Sequence, residues 1–157
     1  MNQQPTGLTI LLREHREVEE HLEKAKGWIP TLQAEGAPAV DRLADELQTF
    51  AGAIKDDLAL HIAHEDKALF PVLARHIGDK SGPIFVMLLE HRHMEGDQAR
   101  FEAALATKDA AVLADSANKI VSVLSGHMWK EEQILFPMAQ RTLSPEEWAE
   151  VEQLMGA

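Results

Sequence analysis

The sequence contains no cysteine and no tyrosine. The first absence excludes disulfides, thiol catalysis and iron–sulfur clusters held by cysteine. The second removes a tyrosinate ligand or a tyrosyl radical. Basic residues are in short supply, with 15 Lys and Arg against 26 Asp and Glu, which leaves a net charge of −11. That balance argues against nucleic acid or an anionic membrane surface as a partner. Long apolar runs are missing too. The longest, Ile84 to Leu89, is far too short to span a bilayer. The leading residues 1–6 are polar and carry no apolar stretch of the kind a secretory signal needs, so the expectation is a soluble cytoplasmic protein.

What is present is an internal repeat. His61-Ile62-Ala63-His64-Glu65-Asp66-Lys67-Ala68-Leu69-Phe70-Pro71 aligns without gaps on His127-Met128-Trp129-Lys130-Glu131-Glu132-Gln133-Ile134-Leu135-Phe136-Pro137. His falls on His, Glu65 on Glu131, and Leu-Phe-Pro on Leu-Phe-Pro. A second pair of segments matches in the same way: Glu14-His15-Arg16 on Glu90-His91-Arg92, each shortly after two leucines. All four segments hold a His with a Glu four residues on (His15/Glu19, His61/Glu65, His91/Glu95, His127/Glu131). On a helix, residues so spaced lie on one face.

The surrounding pattern is helical. Leu8, Leu11, His15, Val18, Leu22 and Ala25 recur at steps of three and four, the mark of an amphipathic helix, and Gly27 and Pro30 should end it. A second helix should start near Pro38 and run to about His76, bent or interrupted at Pro71. Ser81 is positioned to cap a third, with Ile84, His91, Phe101 and Leu105 on its seam. The fourth seam reads Ala117, Ile120, Leu124, His127, Glu131, Ile134, Met138, a coiled-coil-like stripe. Ser144-Pro145-Glu146-Glu147 is a capping box for a short fifth helix. These elements predict an all-α, up-down four-helix bundle over about residues 8–141, closed by a helix over about 144–155. At 157 residues and 45% hydrophobic, the chain is long enough for one domain, residues 1–157, with a real core.

His15, His61, His91 and His127 each follow a leucine by three residues, so they occupy seam positions that a plain bundle fills with Leu or Ile. Imidazoles and carboxylates buried together are costly unless paired or metal-bound, and bundle cores are a known setting for metal sites. Four His with several Glu suit Fe, Mn or Zn better than the all-oxygen shells of Ca or Mg. The number of ligands is large for one ion and natural for two. The candidate ligands are His15, His61, Glu65, His91, Glu95, His127 and Glu131, with Glu19 a weaker candidate. The remaining histidines, His21, His64, His76 and His93, read as surface or supporting groups. Trp129 reads as packing, like Phe70 and Phe136.

The order His15, His61-x-x-x-Glu65, His91-x-x-x-Glu95, His127-x-x-x-Glu131, with its two Leu-Phe-Pro segments, resembles the hemerythrin-like, or HHE cation-binding, family over about residues 8–141. The resemblance implies a non-haem centre of two iron ions with an oxo or hydroxo bridge, Mn or Zn being alternatives. It implies Glu65 and Glu131 as bridges, His15 and His61 on one ion, His91 and His127 on the other. Two positions depart from the oxygen-carrying members. Those have His where Glu95 stands, and Asp where Glu132 stands, so Glu132 is an alternative bridge. A carboxylate in place of an imidazole favours ferric iron, which directs the expectation toward oxidation or peroxide chemistry.

Three functions fit. One is a redox-active diiron protein that reacts with hydrogen peroxide, dioxygen or nitric oxide, with catalase- or peroxidase-like turnover. Another is a binding module for iron storage, or for sensing iron, dioxygen or nitric oxide. The third is a metal-free interaction bundle, in which His15→Ala and His127→Ala would be neutral or stabilising. Monomer and homodimer are both compatible with the sequence.

Overall fold

The computed structural model describes residues 3–156; residues 1, 2 and 157, the outermost part of the expected polar lead and of the expected domain, lie outside them. The described residues form six helical elements and no strand. Helix α1 is Thr6–Glu35 and α2 is Ala37–Arg42. Helix α3 is one helical run over residues 44–77, with π-helical segments at Ala53–Leu58 and Glu65–Leu69. Helix α4 is Gly82–Thr107. Helix α5 runs over residues 110–142 with a π-helical segment at Glu131–Leu135. Helix α6 is Pro145–Met155. Helices α1, α3, α4 and α5 form the bundle, and α6 packs across α1 and the second π segment of α3.

Local chemistry accounts for most of the boundaries. Gly36, at φ 69°, ends α1 in a conformation that costs glycine little. Pro38 sits in the first turn of α2, where its missing N–H is no loss. Asp109 caps α5 by accepting from the Val112 N–H. The Ser144 capping box of α6 is complete in both directions. Three expectations change. The helix expected from near Pro38 to about His76 is two elements, α2 and α3, separated by a turn at Leu43. Helix α1 runs on through Gly27 and Pro30, because Trp28, Ile29 and Leu32 on its inner face are buried while Pro30 faces solvent. The hydrogen bond Pro30 removes is on the wet side, where water can satisfy the freed carbonyl. Ser81 precedes α4 in extended conformation, but its side chain makes no cap hydrogen bond.

The two prolines of the repeat leave the helix axis unbroken. Each lies two residues after a five-residue π segment that starts at the glutamate of the HxxxE pair. A proline cannot donate to the helical ladder and crowds the preceding turn, and a π turn supplies the slack. The extra residue also moves the seam by one. Ile134, expected to face inward, is 46% exposed, and Leu135 is buried in its place.

The core consists of two apolar clusters. One holds Val18, Leu22, Trp28, Leu58, Met94, Phe101, Leu124 and Met128. The other holds Leu8, Leu11, Leu69, Phe70, Ile84, Met87, Leu135, Phe136, Trp148 and Val151. Along three bundle helices the change from one cluster to the other brackets the histidine (Leu11 to Val18, Leu58 to Ala68, Met87 to Met94), and along the fourth it brackets Glu131, just after His127 (Met128 to Leu135). A polar layer therefore crosses the bundle between two apolar ones. At its other end the core is closed by Trp28, Phe50 and Phe101, whose rings meet at 5.1–6.3 Å.

Candidate metal centre

The polar layer contains His15, His61, Glu65, His91, His127 and Glu131, each at most 2% exposed. Their side chains form two groups, His15, His61, Glu65 and Glu131, and His91, His127, Glu65 and Glu131, with the ligand atoms of each group within 4.8 Å of one another. Both glutamates belong to both groups. Within the first, the Nε2 atoms of His15 and His61 are 3.0 Å apart; within the second, those of His91 and His127 are 3.2 Å apart. Two nitrogens each about 2.1 Å from a common ion, at close to a right angle, lie about 3 Å apart.

The carboxylates are divided between the groups oxygen by oxygen. Glu65 Oε2 is 3.4 Å from His61 Nε2, and its Oε1 is 3.2 Å from His91 Nε2. Glu131 Oε1 is 2.9 Å from His15 Nε2, and its Oε2 is 3.4 Å from His127 Nε2. Glu65 Oε2 and Glu131 Oε2 are buried without a hydrogen-bond partner among the described residues. Orphaned carboxylate oxygens at the centre of a bundle fit a bound cation, and a set of imidazoles and carboxylates is the donor chemistry of Fe, Mn or Zn.

Each imidazole is fixed from behind. His15 Nδ1 lies 2.8 Å from Glu132, His61 Nδ1 3.0 Å from Glu14, His91 Nδ1 2.8 Å from Asp66, and His127 Nδ1 3.1 Å from Glu90. A carboxylate at Nδ1 accepts a hydrogen bond from the N–H there and leaves the Nε2 lone pair facing the centre. The arrangement follows the repeat. Glu14 and Glu90 immediately precede a histidine, and Asp66 and Glu132 immediately follow a central glutamate. Each serves the histidine of a neighbouring helix. The two repeat phenylalanines also stack on these rings, Phe136 on His15 at 5.4 Å and Phe70 on His91 at 5.9 Å.

Proton affinities record the crowding of charge. Burial alone would depress His61, but Glu65, Glu131 and Glu14 hold it well above its ordinary 6.5. His91 is likewise pulled down by burial and pushed up further by Asp66 and Glu65, to about 9. His127 is pulled down by burial and pushed up further by Glu131 and Glu65, to about 10. Burial would raise Glu65, yet His61 and its hydrogen-bonding neighbours keep it well below the carboxylate range.

The structure departs from several expectations. Glu95 is exposed and stands outside both groups. Helix α4 is α-helical throughout, without a π segment like those that begin at Glu65 and Glu131, and its buried seam passes through Met94. Glu19 is partly exposed and accepts from Arg16 at 3.1 Å. The carboxylates within the two groups are therefore Glu65 and Glu131. The alternative bridge Glu132 lies behind His15, where it also pairs with Arg16. Trp129, read as packing, is 61% exposed. His64 is a supporting group, 2.7 Å from Glu14, as Lys130 is to Glu90 at 2.7 Å. The roles of Glu14, Asp66 and Glu90 were unassigned from sequence, although the repeat preserves an acid at each of these places.

Comparison with known proteins agrees with this geometry. The model of the hemerythrin HHE cation-binding domain matches residues 6–139, and again 82–154. The second match starts at α4, where the repeat begins its second copy. The iron-sulfur cluster repair protein YtfE of Yersinia pseudotuberculosis (serotype IB, strain PB1/+) is 33% identical over 99 residues, covering 57% of this chain and 44% of that protein. YtfE of Yersinia pestis (strain Pestoides F) is 33% identical over 100 residues, with the same coverage. The chain thus spans less than half the length of these curated relatives. No solved structure matches it significantly. Among the described residues, no helix is long and apolar enough to cross a membrane. With a family match over most of its length and a buried His and Glu cluster suited to a metal ion, the chain belongs to the hemerythrin HHE cation-binding family.

Proposed function

We propose that this protein holds two iron ions in the polar layer and reacts there with small molecules, namely hydrogen peroxide, dioxygen or nitric oxide. The observation that carries this reading is the division of Glu65 and Glu131, each with one oxygen toward His15 and His61 and the other toward His91 and His127. The proposed ligands are His15, His61, Glu65 and Glu131 for one ion, and His91, His127, Glu65 and Glu131 for the other. Iron so bound supplies redox equivalents and Lewis acidity to a small molecule.

The chain's own residues do the rest. The two carboxylates offset part of the positive charge in a layer that apolar side chains seal on both sides. Glu14, Asp66, Glu90 and Glu132 keep each Nδ1 protonated, which makes Nε2 the donor. Because His61, His91 and His127 hold protons tightly, loading must displace protons and weakens as pH falls. Four imidazoles and two carboxylates leave coordination positions for a small molecule.

The relatives' name favours a second reading, in which the same centre serves iron–sulfur cluster repair by holding or giving up iron. Peroxide consumption by the iron-loaded protein separates the two. Fast turnover that is lost in Glu65→Ala and Glu131→Ala supports the redox reading. Iron uptake and release without turnover contradicts it and supports a store, donor or sensor.

A further inference from the structure

Two clefts flank the polar layer, and the internal repeat relates them residue by residue. The first, of about 270 Å³, is lined by Leu58, Ile62, Ala63, Asp66, Met94 and Glu95 among others. The second, of about 250 Å³, is lined by Glu19, Glu23, Met128, Trp129 and Glu132 among others. Ala63 corresponds to Trp129, Ile62 to Met128, Asp66 to Glu132, and Glu95 to Glu19. The clefts are equivalent places in the two halves, yet their chemistry differs.

The first difference is at the mouth. A methyl group at Ala63 leaves open what the Trp129 indole flanks in the other half. The second is in the walls: the first cleft sets Ile54, Leu58, Ile62 and Met94 beside its charged Asp66, Lys67 and Glu95, whereas the second sets Glu19, Glu23 and Glu132 beside only Met128 and Trp129. The third is at the carboxylate behind the ligand histidine. Glu132 is held twice, by His15 and by Arg16. Asp66 is bonded to His91, meets no second cation among the described residues, and is 34% exposed. The other two outer carboxylates are also held twice, Glu14 by His61 and His64, Glu90 by His127 and Lys130. The His91 corner is therefore the most loosely secured of the four.

We infer that small uncharged ligands reach the centre through the Ala63 cleft, at the His91 corner. An apolar diatomic gains more from the wall of Ile54, Leu58, Ile62 and Met94 than from Met128 and Trp129 set among three carboxylates. Beyond the first cleft stand Met94, whose unbranched side chain changes rotamer readily, and a single Asp66–His91 hydrogen bond. Beyond the second stands an Arg16–Glu132 ion pair that must separate. This inference rests on the proposed reading of the centre as a site for small molecules.

The test has two arms. In the metal-free protein, xenon serves as the probe, since it occupies apolar cavities without chemistry. Xenon should shift the methyl resonances of Leu58, Ile62 and Met94, and Ala63→Trp should abolish the shifts. In the iron-loaded protein, nitric oxide association is followed by stopped flow. Ala63→Trp should slow it about tenfold with the same end-point spectrum, while Trp129→Ala changes it less than about twofold. If Ala63→Trp fails to fold, Ala63→Leu gives the smaller effect of the same sign. Xenon shifts confined to Met128 and its neighbours, or an association rate insensitive to residue 63, would overturn the inference. Absence of any nitric oxide binding would count against the proposed function instead, and xenon would still decide where apolar ligands lodge.

Discussion

His15, His61 and Glu65 of the first hairpin take the same places as His91, His127 and Glu131 of the second. Outside that layer the hairpins differ. His64 stands where Lys130 stands, Ala63 where Trp129 does, and Asp66 where Glu132 does. Arg16 grips its outer carboxylate, while Arg92, its counterpart, makes no ion pair with Asp66. The inner residues answer to one requirement, a shared set of ligand atoms that works only if both halves supply it. The outer residues need only present an acceptor at Nδ1, and several side chains do that. The difference separates what the centre demands from what merely supports it.

Breaking the shared part should have the largest effect. Glu65→Ala with Glu131→Ala removes both residues common to the two groups, so the protein should lose all bound metal, measured as metal content after desalting. Breaking one half should cost less. His15→Ala with His61→Ala should remove one ion of two and leave the His91 and His127 group loaded, and the reciprocal pair should do the reverse. If either pair emptied the whole site, the halves would be more tightly coupled than their geometry indicates.

The supporting groups come next. Glu90→Gln leaves His127 without its anionic acceptor and should weaken metal affinity by about 10- to 100-fold in a competition titration. Lys130→Met removes only the second partner of Glu90 and should cost less than about tenfold. Asp66→Asn should perturb the His91 group alone, since no other cation depends on Asp66 among the described residues.

The smallest effect concerns pH. In the metal-free protein, His61, His91 and His127 bind protons more tightly folded than unfolded. Their contribution is fully present below about 6.5 and is lost as pH rises through about 9 and 10. Glu65 has the opposite sign: its contribution is present above its ordinary 4.5 and disappears as pH falls below that. The melting temperature of the metal-free protein should therefore decline between pH 6.5 and 10, and metal loading should flatten that decline, as thermal scans across this range would show.

Sequence alone carried the bundle and six of the inward residues, because a histidine three after a leucine on an amphipathic stripe has one direction to face. It failed where helix geometry departs from the ideal, or keeps to it unexpectedly. The π turns after His61 and His127 are invisible to a 3.6-residue count, so Ile134 was placed inward and Leu135 was missed. Helix α4 has no such turn, and its Glu95 leaves the site although its spacing from His91 equals that of Glu65 from His61. Pro71 and Pro137 were the available signal, since α1 and α4 have no proline in the corresponding places. The outer carboxylates were legible only as a repeated acid beside each ligand. Partnering across helices is a tertiary fact.

Iron per chain, measured with the optical spectrum on untagged protein from iron-replete cells, tests the central claim most directly. Two irons per chain with near-ultraviolet charge-transfer absorption, both lost in the Glu65→Ala, Glu131→Ala protein, is the result this account predicts. One iron or none, in protein whose helical fold is intact, would contradict it.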